Sequence, residues 1–206
     1  SVVLIAISMY MQLHMEDTEA FKELEERKSK LDQESGPKVS IERSPILQAM
    51  SRYPRQILLA AGAFLSVQVT FYILIGFVLA YGSDPNGAAM TRENLLMAVL
   101  IGSAMQIVAQ FLAAGYSDRH GRRGVFIFGA ALLGLWGFIL FPLIDTGSFW
   151  LTVFGISGGL VFVGMMYGPQ AAFFAELFST EVRYSGASLG YQIGAILGGS
   201  FAPTIA

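Results

Sequence analysis

The sequence predicts an all-α, polytopic membrane helix bundle, and three observations carry that prediction. The composition is 54% hydrophobic and only 14% charged, against about 25% charged in an ordinary globular domain. Five apolar stretches reach or approach the roughly 20 residues a helix needs to cross hydrocarbon. Basic residues fall on alternate loops between those stretches. In lipid every peptide group needs an internal partner, so the stretches must be helices; their length and lack of period-two alternation exclude a closed barrel. The net charge of −2 offers no basic excess for nucleic acid. Cysteine is absent and only His14 and His120 are present, so the sequence predicts no disulfide, no metal cluster and no bound cofactor.

The opening "SVVLIAISMYM", residues 1–11, is too short to span and lacks the basic flank of a signal peptide. It reads as the end of a transmembrane span. "GGSFAPTIA" also stops within apolar sequence, and the chain is expected to be an internal piece of a longer protein. Residues 12–55 hold most of the ions. Lys22 with Glu26, Glu23 with Arg27 and Glu26 with Lys30 stand at i, i+4, which suits either a surface helix turning Phe21, Leu24 and Leu31 toward lipid or a solvated linker helix. Gly36 and Pro37 then break it. The bundle itself is predicted over 56–206, with spans near 56–81, 95–115, 124–144, 150–178 and 184–206.

Twelve of the thirteen Lys and Arg lie before residue 56, in 116–123 or in 179–183, and only Arg92 is left for the opposite side. The positive-inside rule makes 12–55, 116–123 and 179–183 cytoplasmic. "GSDPNGAAMTREN" and "DTGS" then face outward.

Glycine patterns the last two spans. Gly186, Gly190, Gly194 and Gly198 recur every four positions, which makes a groove along one helix face where another backbone approaches closely. Gly155 with Gly159 and Gly164 with Gly168 repeat the spacing, and Pro169 follows, whose missing N–H favours a kink. Packing is the first reading of these glycines and substrate contact the second. The 186–198 groove is expected to lack a partner helix within this piece.

"AGYSDRHGRR", residues 114–123, is the densest cluster of ions, set between two greasy segments. It predicts a tight hairpin at the membrane surface, with arginines reaching water or lipid phosphate. Anchoring alone explains the arginines. It does not explain Asp118, which at that depth favours a helix N-terminus or an arginine partner, nor Gly121, placed for a sharp turn.

"GYSDRHGRR" resembles the cytoplasmic signature of the major facilitator superfamily, G-x-x-x-D-R-x-G-R-R. Asp118, Arg119, Gly121, Arg122 and Arg123 match, while the first glycine of the pattern falls on Ala114. "FFAELFSTEVRYSGASLGYQIGAILGG" is similar to the tenth and eleventh spans of the metabolite:proton symporter branch, and "MEDTEAFKEL" resembles the start of its central loop. The resemblance implies a major facilitator fold seen as an incomplete C-terminal half, from the end of span six to span eleven. The missing N-terminal half of the same chain is then its partner, and the full-length protein is expected to be a monomer in the plasma membrane of a bacterium. It implies a secondary transporter working by alternating access, coupled to a proton gradient, for a small polar metabolite: an organic acid such as shikimate, oxoglutarate or citrate, or a betaine- or proline-like zwitterion. Carried over to these residues, Asp118 would cap or neutralise a facing helix end, while Arg119, Arg122 and Arg123 would pair with acids or phosphates at the cytoplasmic rim. Glu176 and Arg183 would join that network.

Intramembrane polar residues tend to face a cavity or a neighbouring helix. Gln68 with Tyr72, Gln106 with Gln110, Tyr167 with Gln170, and Tyr191 beside Gln192 are the candidates for substrate contact; helix-to-helix glue is the other reading. No carboxylate falls in mid-membrane within 56–206, so proton coupling rests on the resemblance. No nucleophile, dyad or metal cluster inside the spans points to an enzyme. A channel or scaffold bundle is the rival, since glycine-lined helices also build pores.

Overall fold

The structure is a computed structural model describing residues 9–10, 45–85 and 87–205. The surface helix and connector predicted within 12–44 lie outside the described residues, as does all but Met9 and Tyr10 of the predicted span end at 1–11. The chain divides into two compact units, Ser1–Ser44 and Pro45–Ala206. In the second unit every long element is helical: α1 (Pro45–Arg52), α2 (Pro54–Ser83), α3 (Arg92–His120), α4 (Arg122–Asp145), α5 (Phe149–Glu176) and α6 (Arg183–Ile205). Helices α2 to α5 are each long and apolar enough to cross a membrane.

Local sequence sets where these helices start. Pro54 opens α2 at its first turn, where a missing N–H breaks no bond. Thr91 caps α3 by accepting from the Asn94 N–H, with Glu93 in the first turn, so an acid meets the positive end of the helix. Inside α2 the residues Ile73–Phe77 form a π-turn, a wider local winding that Gly76 accommodates without a side chain.

The bundle is built around α5. Of its apolar window 56% is buried, against 17–22% in α2, α3 and α4, so α5 is the packed centre and the others leave most of their surface exposed. It packs against α3 and α4, while α2 packs against α6. Small residues allow these approaches. A Cβ on Gly164 would lie 2.8 Å from the Gln106 carbonyl oxygen, and one on Gly168 would lie 2.5 Å from the Gln110 carbonyl oxygen. The glycines at i, i+4 on α5 thus meet the backbone of α3 at the same spacing.

The α6 groove has a partner, contrary to the expectation from sequence. A Cβ on Gly190 would sit 2.7 Å from Ala60 Cβ, one on Gly194 2.7 Å from the Ala61 carbonyl oxygen, and one on Gly198 2.8 Å from Gln68 Cβ. Periodicity shows that a helix carries a groove but not which helix enters it. Here α2 does, through the small pair Ala60 and Ala61. Helix α1 adds a small inner cluster, Ala49 with Ile57, Phe178 and Val182.

The predicted spans 56–81, 95–115 and 124–144 sit within longer helices, whereas α5 ends two residues short of the predicted 178. Helix α3 has 29 residues, about 43 Å at about 1.5 Å per residue, which exceeds a hydrocarbon core of about 30 Å. Its surplus includes the charged stretch 116–120, which the sequence reading placed in a loop. Only Gly121 separates α3 from α4.

Candidate functional site

The charged end of the bundle is built by that one-residue break. Gly121 has φ +96° and ψ 129°, a conformation essentially reserved for glycine. Its N–H donates to the Ser117 carbonyl at 2.9 Å and closes the last turn of α3. Because helix runs right up to Gly121 and resumes right after it, Asp118 and Arg122 keep an i, i+4 relationship while lying on different helices.

Arg122 uses that relationship. Its Nη2 donates to Asp118 Oδ1 at 2.9 Å and its Nε to the same oxygen at 3.3 Å. Its Nη1 donates to Oε1 of Glu176, the last residue of α5. One guanidinium therefore ties the ends of α3, α4 and α5 together. The Arg122 side chain is 27% exposed, against 61% for Asp118 and 56% for Glu176; the cation sits inward and the two carboxylates sit at the rim. Water screens ion pairs exposed to this degree, so each is weak.

The rest of the signature turns elsewhere. The His120 ring stacks on Tyr116, centroids 4.1 Å apart, and its Nδ1 lies 3.2 Å from the Tyr116 carbonyl oxygen. Among the described residues no acid pairs with Arg119, Arg123 or Arg183. Among the described residues Asp118 meets an arginine. Sequence reasoning passed over Arg52, whose Nη1 lies 3.9 Å from Glu181 Oε2 in the turn after α5; nothing in a long charged segment singles it out.

The candidate substrate residues divide among different interfaces. Gln68 is half-buried on α2 against Gly198, and the Tyr72 hydroxyl lies 4.0 Å from where a Gly199 Cβ would be. Gln106 and Gln110 lie on the α3 face that meets Gly164 and Gly168. Gln192 is exposed. Tyr191 of α6 packs its ring against Phe64 of α2, centroids 4.8 Å apart, and Phe174 of α5, 5.0 Å apart. Gln170, between Tyr167 and Phe174 in sequence, is 1% exposed, and neither its Nε2 nor its Oε1 has a hydrogen-bond partner. The structure thus sets Tyr191 against Phe174, one turn beyond Gln170, and sets Gln106 and Gln110 against Gly164 and Gly168 of the same helix, while Gln192 is exposed.

A separate cavity of about 380 Å³ opens between α2, α4 and α5, lined by Ser66, Thr70, Leu74, Trp136, Phe141 and Met166 among others. Ser66 and Thr70 spend their hydroxyl protons on the Ala63 and Ser66 carbonyls, and the Trp136 indole donates to the Gly155 carbonyl at 2.7 Å. None of the candidate substrate residues lines it. Such a space depends on how three helices diverge, which no single stretch encodes. Among the described residues no group of three or more His, Cys, Asp or Glu is placed to hold a metal ion.

Over its whole length the chain is 30% identical to the shikimate transporter of Escherichia coli, covering 45% of that protein. It is 30% identical to the inner membrane metabolite transport protein YhjE of Escherichia coli, again over all of this chain and 45% of the relative. The proline/betaine transporter of Escherichia coli is 26% identical over 97% of this chain and 39% of its own length. The chain therefore spans less than half the length of these curated relatives. No solved structure matches it. The sequence profile of the Major Facilitator Superfamily matches residues 1–204, and the chain, a multi-pass membrane protein by its apolar helices, belongs to that superfamily.

Proposed function

We propose that this chain is part of a secondary active transporter that moves a small polar metabolite across a bacterial inner membrane by alternating access, with protons as the coupling ion. The observation that carries the reading is the Arg122 guanidinium held between Asp118 and Glu176. It joins three helix ends through bonds weak enough for a conformational change to break, since the states of such a protein differ by only a few kcal/mol. We take this end of the bundle as the cytoplasmic one, in keeping with the basic residues at 52–55, 119–123 and 183, and residues 12–55 as the loop leading into it. The names of the relatives, a shikimate transporter and a proline/betaine transporter, support a small polar solute. Proton coupling rests on the family alone: within 56–206 the acids lie near helix ends or in the outer turns, so the titrating group belongs to another part of the protein.

The test is uptake by proteoliposomes containing the intact protein, with and without a pH gradient, for the native chain and Asp118→Asn. The reading expects saturable uptake that rises with an inward proton gradient and falls about tenfold or more in the variant. Saturation-free passive flux, unchanged by the substitution, would instead mark a channel.

A further inference from the structure

Gln170 is the one fully buried amide side chain among the described residues, and both ends of it are without a partner. A primary amide offers two N–H donors and a carbonyl acceptor; in a low-dielectric interior each one left unmatched is costly. The preceding Pro169 adds to the polarity here, since it has no N–H for the carbonyl of Met165 one turn back. Packing alone gives no reason for an amide at this position, because a methionine or leucine fills the same space without the penalty.

The surroundings say what would match it. Tyr167 and Phe174 stand three residues before and four after Gln170, on the same helix face. Tyr191 of α6 packs on Phe174, ring centroids 5.0 Å apart, so α6 brings a phenol to the helix face one turn beyond Gln170. No Asp, Glu, Lys, Arg or His occurs between Gln56 and Ser83, between Phe149 and Ala175, or after Arg183. The groups that meet here are neutral donors and acceptors.

We propose that Gln170, flanked by Tyr167 and Tyr191, is a substrate-binding position for a hydroxyl group, and that the transported solute is a hydroxylated carboxylate rather than a fully N-methylated betaine. A hydroxyl accepts from Nε2 and donates to Oε1 at once, satisfying both ends of the amide. A quaternary betaine has no proton to donate, and would leave Oε1 unmatched. The carboxylate of the solute is then met by groups outside this cluster. This inference rests on the transporter reading above and narrows its substrate class.

The experiment measures equilibrium binding to the detergent-solubilised intact protein with three probes: shikimate, the same ring acid stripped of its hydroxyls, and glycine betaine. Native protein is expected to bind shikimate about tenfold or more tightly than the stripped acid, the scale of a lost hydrogen bond in a buried site, and betaine more weakly still. Gln170→Met is expected to weaken shikimate alone, bringing the two acids within about threefold. It should also leave the thermal midpoint of the ligand-free protein unchanged or raised, because an unmatched amide has been removed. Betaine binding as tightly as shikimate, no shikimate binding, or equal weakening of both acids overturns the proposal. A fall in the ligand-free midpoint, or failure of the variant to fold, also overturns it, since the amide would then be satisfied within the native protein. Saturable, gradient-driven uptake of betaine would leave alternating access standing while removing the hydroxyl assignment; saturation-free flux of every probe would remove both.

Discussion

Asp118 and Arg122 are one helical turn apart in number yet belong to two different helices, and the 2.9 Å bond between them spans the single residue that separates α3 from α4. The turn is therefore as short as a helix reversal allows. Its ions are fixed by helix geometry rather than left on a loop, and Arg122 has an arm free for Glu176 on the central helix.

Gly121→Ala is expected to destabilise the protein by about 1–2 kcal/mol. A Cβ there meets nothing within 4 Å, so the whole cost is backbone strain at φ +96°. Asn is not expected to rescue it: asparagine tolerates the left-handed helical region near ψ +47°, and ψ here is 129°. Thermal unfolding in detergent, read for Gly121→Ala and Gly121→Asn side by side, checks both statements.

Glycines in the bundle separate into two classes by what a methyl group would strike. Gly168→Ala is expected to cost about 1–3 kcal/mol, because its Cβ would lie 2.5 Å from the Gln110 carbonyl oxygen, part of a helix backbone. Gly62→Ala, with nothing within 4 Å, is expected to gain about 0.4–1 kcal/mol from helix propensity and a less flexible unfolded chain. The difference in midpoint between these two variants is the measurement.

Glu176→Gln is expected to lower thermal stability by less than about 1 kcal/mol, because the pair is more than half exposed on its acidic side, yet to change transport several-fold. Raising salt toward 1 M, where the screening length falls to about 3 Å, should reproduce part of the variant's transport defect in native protein. Stability and uptake measured on the same preparations separate a structural contact from a gating one.

The small-residue contact between α2 and α6 makes a further prediction. Ala60→Leu should disrupt it, since Ala60 is fully buried and its Cβ lies 2.7 Å from the Gly190 Cβ position. Overpacking at such a crossing costs about 1–3 kcal/mol. Limited proteolysis should then cut the turn at 177–182 faster, as α6 loosens from α2.

The helices were legible in the sequence because hydrophobic length is a local signal; α2 to α4 contain the predicted spans and extend them at both ends, while α5 stops at Glu176, inside the span predicted to reach 178. The glycine groove of α6 was legible as a groove, but its occupant was not, since Ala60 and Ala61 are ordinary residues until two helices meet. Asp118 and Arg122 stand four apart in plain view. With Gly121 between them, though, the sequence suggested a loop, and loop residues need not share a face; only abutting helices make the spacing count. For the same reason Arg122 could not be told from Arg119 and Arg123. Gln170 was legible as an intramembrane amide, and its lack of any partner required the packing around it.

We propose that the Arg122 bridge is a latch that opens and closes during transport. Because the chain has no cysteine, spin labels can be placed at His120→Cys and Ser179→Cys, both exposed and beside the bridge, in the intact protein if its remaining sequence is also cysteine-free or made so. Two distance populations are expected, whose ratio shifts on adding the transported solute and shifts again in Glu176→Gln. A single distance, unmoved by solute or by that substitution, would contradict it and make the bridge a permanent brace.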